Sequence, residues 1–478
     1  MKNETSVLLL SMVITVAMVL GGLWWLQKSQ IITLPFPEET EEDEPRAKVT
    51  PKTTNIKPEI IIAEHLSAGD RTLISTEVTP DKQAAVKAFA SGNYGKAASL
   101  LEASLKAKKN DPEALIYLNN ARIGTSKSYT IAISIPIGVE VNAAKEMLRG
   151  VAQAQQEINA TGGINNVPLK VLIANDDNDT KVAKKIAKAF VDNPDVLGVI
   201  GHFSSEVTLA AAEVYQENQL VVISPTSTSV TISRLGNYVF RTIPSDRFFG
   251  SALSRYMLNQ LNVRKAAVFF NSQSNYSQSL ADAFTTALFA DGGEVVGEFD
   301  FAKPNFNAGV DVKQAIEKGA EVLILAPNSA TLNQGLLVVQ VNDGRLPMLA
   351  GDSLYKPKTL QIGGRDAASM VLAVPWHILG APNSPFPQAA TKLWGADVNW
   401  RTALTYDATQ ALIAALKQQQ SRSGVQKALS GSGFQPQGVS SKIRFLPSGD
   451  RNQAVQLVKI EAGNRSSFGY DFVPIPSK

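Results

Sequence analysis

The chain has no cysteine in its 478 residues and only three histidines, His65, His202 and His377. The first absence excludes disulfides, thiolate metal sites, a cysteine nucleophile and a lipid-modified N-terminal cysteine, and it suits an oxidising compartment. Histidines so few and so scattered do not make a multi-histidine metal site. Charge of one sign is missing as well: 46 basic against 43 acidic residues leave a net charge of +3. No Lys/Arg stripe with interleaved aromatics marks a nucleic-acid surface. Paired carboxylates, a metal-ligand cluster and catalytic-triad spacing are equally absent, so neither an enzyme nor a cofactor is expected.

The stretch VIGHFSSEVT (residues 199–208) invites a catalytic reading because it sets His202 beside Ser204 and Ser205. A hydrolase elbow reads G-x-S-x-G, and this stretch has neither that serine spacing nor the second glycine. A strand ending at Ile200, a glycine turn and a serine at a helix start instead describe a place where backbone N–H groups and a hydroxyl receive an anion. A serine that only caps its helix is the alternative.

Near the N-terminus, residues 7–26 (VLLLSMVITVAMVLGGLWWL) carry no charge and are long enough to cross a hydrocarbon core of about 30 Å. No small-residue cleavage pattern follows, so the run reads as a retained signal anchor, with a cleaved signal as the alternative. Lys2 before it and the acidic run EETEEDE at 38–44 beyond it place the bulk of the chain outside the cytoplasm. The expected organisation is a transmembrane anchor at 1–28, a disordered Pro/Glu-rich linker at 29–58, a helical segment at 59–127 and a two-lobed domain at 128–470. Within the helical segment, the turn Gly92-Asn93-Tyr94 with Ala97, Leu101, Ser104 and Pro112 resembles a tetratricopeptide helix hairpin. A lone repeat cannot bury its own apolar face, so it should dock on the following domain, on another copy or on a partner. An ordinary helical spacer is the alternative.

From Thr130 the pattern becomes strand, helix, strand. Apolar runs at 131–135, 167–173, 196–200 and 220–223 alternate with helical spacing such as Ala144, Met147, Leu148, Val151, Ala154 and Ile158. Asp179 is placed to cap the helix that carries Val182, Ile186 and Phe190. A second set begins near Asp246, with runs at 266–270, 294–299, 322–325 and 348–350. Repeated βα units with apolar strands predict α/β lobes, each a parallel sheet covered by helices on both faces. The link FRTIPSD at 240–246 makes the first hinge, and later crossovers are expected.

Four segments then become recognisable in order: GVAQAQQEINATGGINNVPLKVLIANDDND (150–179), VIGHFSSEVTLAAAEVYQENQLVVISPTST (199–228), FRTIPSD (240–246) and FNSQSNYSQSLADAF (270–284). Together they resemble the type I periplasmic binding proteins of the branched-chain amino acid (Leu/Ile/Val-binding) ABC transporter family. The resemblance implies that Ser205, Thr226 and Thr228 hold a ligand's α-carboxylate. It further implies that Tyr276 reaches across from the second lobe and that Asp352 pairs with the α-ammonium. Two departures bear on the ligand. Residues 135–140 run almost directly into a helix, and Pro327-Asn328-Ser329 stand where a second cleft aromatic is expected. Trp376 and His377 are further candidates to line the cleft. The function implied is an extracytoplasmic binding protein that captures an amino acid or similar small carboxylate for an ABC permease or a sensor. The rival is a ligand-free envelope scaffold acting through its helical repeat.

Overall fold

Strand positions in this chain are apolar on both sides of the pleat, because helices cover both faces of each sheet. The run VLILA at Val322–Ala326 is buried throughout, and YTIAISI at Tyr129–Ile135 is buried from Ile131 onward. A computed structural model describes residues 61–76 and 78–476. The expected anchor and linker lie outside the described residues. Among those described, no helix is long and apolar enough to cross a membrane.

In the first lobe the strands are Leu66–Ser67 (β1), Tyr129–Ile135 (β2), Leu169–Asn175 (β3), Val196–Ile200 (β4), Val222–Ser224 (β5) and Val239–Arg241 (β6). They lie in the order β1-β3-β2-β4-β5-β6. The second lobe has Lys265–Phe270 (β7), Glu294–Asp300 (β8), Val322–Ala326 (β9), Met348–Ala350 (β10), Val371–Val374 (β11), Gln456–Ala462 (β12) and Tyr470–Pro474 (β13). Their order is β13-β12-β11-β10-β9-β7-β8. The expectation of wholly parallel sheets is corrected here, since both sheets are mixed. β1 runs antiparallel to β3, β12 to β11 and β13 to β12. The reason is connectivity: a parallel neighbour needs a crossover, whereas the tail strands β12 and β13 are joined by a turn and can only return antiparallel.

The chain passes between lobes three times: after β6, between β11 and the helix Trp400–Gln418, and between Arg451 and β12. The first and third passages are tied by a buried ion pair, Arg241 Nε to Asp450 at 2.7 Å. Arg241 also donates to the carbonyls of Ser229 (2.8 Å) and Ser227 (3.2 Å). The next residue, Arg451, pairs with Asp407 of the returning helix at 3.2 Å, with both side chains fully buried.

Ahead of the lobes stand three helices, Pro80–Ala90, Tyr94–Ala107 and Pro112–Ile123, started by the side chains of Thr79, Asn93 and Asp111. The third helix is buried at every residue except Arg122. It packs between Tyr94–Ala107 and the first-lobe helix Val141–Ala160. Of the three resting places considered for the hairpin, the following domain is the one occupied. A buried charge cluster holds the arrangement: Lys82 Nζ lies 2.8 Å from Asp111 and 2.7 Å from Glu113. Glu113 also accepts from the N–H groups of Leu73 (2.7 Å) and Ile74 (3.1 Å) and from the Tyr117 hydroxyl (3.0 Å). Burial pulls the Lys82 ammonium toward neutrality, but Glu113 and Asp111 outweigh it and hold its pKa above the usual lysine range. Lys82→Ala leaves two buried carboxylates without their cation, and should lower stability by about 3 kcal/mol. Equilibrium urea unfolding checks this, and an unchanged midpoint contradicts it.

Candidate functional site

In open α/β sheets, ligands bind beyond the carboxyl ends of the strands, and one cavity of about 260 Å³ here is built from those ends in both lobes. Asn178 follows β3, Phe203, Ser204, Ser205 and Glu206 follow β4, and Thr226 follows β5. From the other lobe, Gln273, Ser274 and Tyr276 follow β7, Asn328, Ser329 and Ala330 follow β9, and Asp352, Ser353 and Lys356 follow β10. Trp400 and Arg401, at the start of the returning helix, complete the wall. A larger recess of about 1070 Å³ runs along the helix Asp246–Tyr256, but Asp450 on its wall is already paired with Arg241.

The first-lobe wall is a helix N-terminus. Ser204 is the cap, its Oγ accepting from Val207 N–H at 3.4 Å. The N–H groups of Ser205 and Glu206, in the first turn, have no intrahelical acceptor. Ser205 Oγ accepts from Ser229 N–H at 3.3 Å, which leaves its own proton to donate. Thr226 lines the cavity but donates its hydroxyl inward, to the carbonyls of Phe203 (2.7 Å) and His202 (3.2 Å). The Thr228 expectation is corrected: the residue is fully buried outside the cavity lining. There its hydroxyl counts among the groups that favour the charged form of Asp246.

His202 is structural. Its imidazole bridges the Asp176 carboxylate (2.7 Å) and the Tyr215 hydroxyl (3.2 Å) in full burial. Its carbonyl gathers the hydroxyls of Thr208, Ser224, Thr226 and Ser227 at 3.0–3.3 Å.

On the second-lobe wall, Ser274 caps the helix Asn275–Ala290, and its Oγ donates to Glu206 across the cleft at 2.6 Å. Tyr276 follows in the first turn and donates to Asp352 Oδ1 at 3.0 Å. Gly351 permits that contact, since a Cβ there would stand 2.5 Å from the Tyr276 oxygen and 2.4 Å from Leu280. Burial raises the Asp352 pKa, opposed first by the Arg401 charge and then by the Tyr276 hydroxyl. Ser205, Thr226, Tyr276 and Asp352 therefore share one cavity.

Trp376 and His377 do not line it. Trp376 packs edge-on to Phe386, and His377 stands against Tyr355, where burial brings its pKa down to about 4. Both follow β11, which pairs with β10 and β12.

Sequence reasoning missed Lys356, Trp400 and Arg401. Arg401 is placed by three devices. Its N–H donates to the Asn399 cap at 2.8 Å, and Thr402 donates to the Glu146 carbonyl at 2.9 Å. Gly150 lets the two helices cross closely, since a Cβ there would lie 2.4 Å from the Thr402 carbonyl. The Asn399 cap before a helical run was the available signal, but only the second passage between lobes brings it to the cleft.

The fold and cavity define a class: a two-lobed α/β binding protein with its site between the lobes. The family model for periplasmic binding proteins matches residues 136–465, and the chain belongs to that family. An amino acid binding protein of Pseudomonas aeruginosa is 33% identical over 245 residues, covering 48% of this chain and 65% of that protein. A Leu/Ile/Val-binding protein homolog of Brucella abortus is 30% identical over 253 residues, 51% of this chain and 65% of that one. The chain thus spans just under two thirds of the length of these curated relatives. An ABC transporter substrate-binding protein from Desulfitobacterium hafniense shares the fold with a TM-score of 0.62 at 25% identity, covering 73% of this chain and all of that one. The match does not reach the helices at 80–123.

Asp246 enters the second lobe with its N–H on the Thr228 carbonyl at 2.9 Å. Burial pushes its carboxyl up to about 7, against the pull of the Ser279 and Thr228 hydroxyls. With the folded value above the unfolded one, the stability tied to its bound proton is full below about pH 4 and is lost as pH rises through about 7. Asp246→Asn has no such loss, so relative to the native chain it should gain about 3 kcal/mol between pH 5 and pH 8. Unfolding curves at both pH values test this, and parallel pH dependence refutes it.

Proposed function

We propose that the cavity captures an amino acid, its α-carboxylate on the first lobe and its α-ammonium on the second. The observation that carries this reading is the pairing of opposite walls. Ser205 and the free N–H groups of its helix face Asp352, a carboxylate 4% exposed that, among the described residues, accepts from one other side chain, Tyr276. A buried carboxylate of this kind is completed by a cation, and a helix N-terminus by an anion. A zwitterion supplies both at a fixed short spacing. The names of the relatives point the same way. Contacts that form only when both lobes meet the ligand favour closure around it.

The protein acts outside the cytoplasm, as its family does, and passes its ligand to an ABC permease or reports it to a sensor. Residues 7–26 tether it to the membrane. The helices at 80–123 serve as a docked extension of the first lobe, built like a tetratricopeptide hairpin. A ligand-free scaffold would have no use for unpaired polar groups in a cavity between its lobes.

Calorimetric titration of the purified chain with the common amino acids and small carboxylates tests the reading. An amino acid present at 100 times its Kd should also stabilise the fold by about 2.7 kcal/mol. Asp352→Asn and Ser205→Ala should each weaken that binding about tenfold or more. Unchanged affinity in both variants sinks the assignment of the walls.

A further inference from the structure

Arg401 is 4% exposed, and among the described residues its guanidinium makes no hydrogen bond and no ion pair. It is held between aromatic faces instead, its Cζ 4.1 Å from the Trp400 ring centre and 5.9 Å from that of Phe203. Contacts of this kind offset only part of what burying an ion costs. Asp352 is the carboxylate that most favours its charge, yet the two do not form a salt bridge. If a ligand ammonium takes Asp352, the guanidinium is left with less compensation than in the empty cleft. Lys356 adds a second cation from the facing lobe, already shared with Glu140 (3.3 Å) and Ser329 (3.1 Å).

The remaining walls agree. Phe203, Ala330 and Trp400 are the apolar side chains lining the cavity, and two of these three face the guanidinium. Among the described residues, no aliphatic side chain larger than alanine lines it. Where the sequence departs from the expected aromatic, Asn328 and Ser329 stand. A branched aliphatic side chain would meet few apolar partners here and would strip water from Asn328, Ser329 and Arg401 without replacing it.

We propose that Arg401, assisted by Lys356, is a second anion receptor in the cleft, and that the ligand is an amino acid with an acidic side chain. The inference rests on the capture of an amino acid proposed above. The α-carboxylate lies at Ser205, the α-ammonium at Asp352, and the side-chain carboxylate against the guanidinium in a charge-assisted fork.

The probes are L-glutamate, L-aspartate, L-glutamine, L-leucine and succinate, titrated calorimetrically into the purified full chain. At least one acidic amino acid should bind about tenfold or more tightly than both glutamine and leucine. Arg401→Gln should weaken that ligand about 100-fold while changing glutamine about threefold or less, which collapses the discrimination. If circular dichroism shows Arg401→Gln unfolded, Arg401→Lys keeps the charge without the fork and should retain part of the preference. The native ranking decides the matter without either variant. Leucine binding more tightly than both acidic amino acids overturns this inference and leaves amino-acid capture standing. So does an unchanged preference in a folded Arg401→Gln. No binding by any probe overturns both. Succinate binding as tightly as glutamate keeps the Arg401 receptor and removes the ammonium site at Asp352.

Discussion

The buried pair Arg241–Asp450 is the constraint on which the rest of this structure depends. It joins the first and third passages between the lobes, so the ends of β5 and β6 in one sheet and the approach to β12 in the other share one ionic knot. Burial alone would drive the Arg241 charge off, and Asp450 opposes it. Such pairs add little net stability over an apolar substitute, but breaking one is costly. Their service here is to geometry. Asp450 and Arg451 are adjacent in the chain yet pull toward different elements, Arg241 and Asp407, and this fixes the path of the crossover in two directions. With that path fixed, the carboxyl ends of both sheets face a common space, and a site can be assembled from loops that lie far apart in sequence.

A gradient in how buried charges are compensated separates structural places from functional ones. Lys82 has two carboxylates, Asp111 and Glu113, and Glu113 in turn has two backbone N–H groups and a tyrosine hydroxyl. The hinge arginines have one carboxylate each. In the cleft, among the described residues, Asp352 has one tyrosine hydroxyl, and the Arg401 guanidinium has two aromatic faces and the charges of carboxylates it does not bond, Asp352 first. All of these groups are buried, and what varies is the partner. Compensation missing from the protein is where a ligand's charges enter, and a site completed only by its ligand closes preferentially around it.

Much of this could be read from the chain. The apolar runs at 131–135, 196–200 and 322–325 are strands because long continuous burial has no other short solution, and Asp179 and Ser204 cap the helices that follow the strands Leu169–Asn175 and Val196–Ile200. The edges were harder. β1 is two residues long, and β13 is only partly buried, so neither leaves an apolar run. The helix Asn275–Ala290 begins with the polar turn NYSQS, which hides its start from periodicity although Ser274 caps it. At the site, the serine at the strand-to-helix turn after Ile200 was legible from the turn itself, whereas Tyr276 and Asp352 were legible only through the family resemblance. Thr226 and Thr228 differ only in what their side chains meet, the Phe203 and His202 carbonyls for one and Asp246 for the other. Arg401 depends on a crossover and on a helix crossing at Gly150, neither of which is a local property of sequence.

The N-terminal helices add a mechanical consequence. β1 extends the first sheet beside β3, the Asn120 amide bridges the carbonyls of Ala68 and Val171, and Lys109 reaches the Lys392 carbonyl. Each of these contacts is to the first lobe or to helices packed on it. The extension and that lobe therefore move as one body, and lobe closure is a displacement of the second lobe against the pair. A partner that touched only the extension would be blind to whether the cleft is filled. To sense ligand, it must reach the second lobe as well, across the rim where Glu206 meets Ser274 and Glu140 meets Lys356.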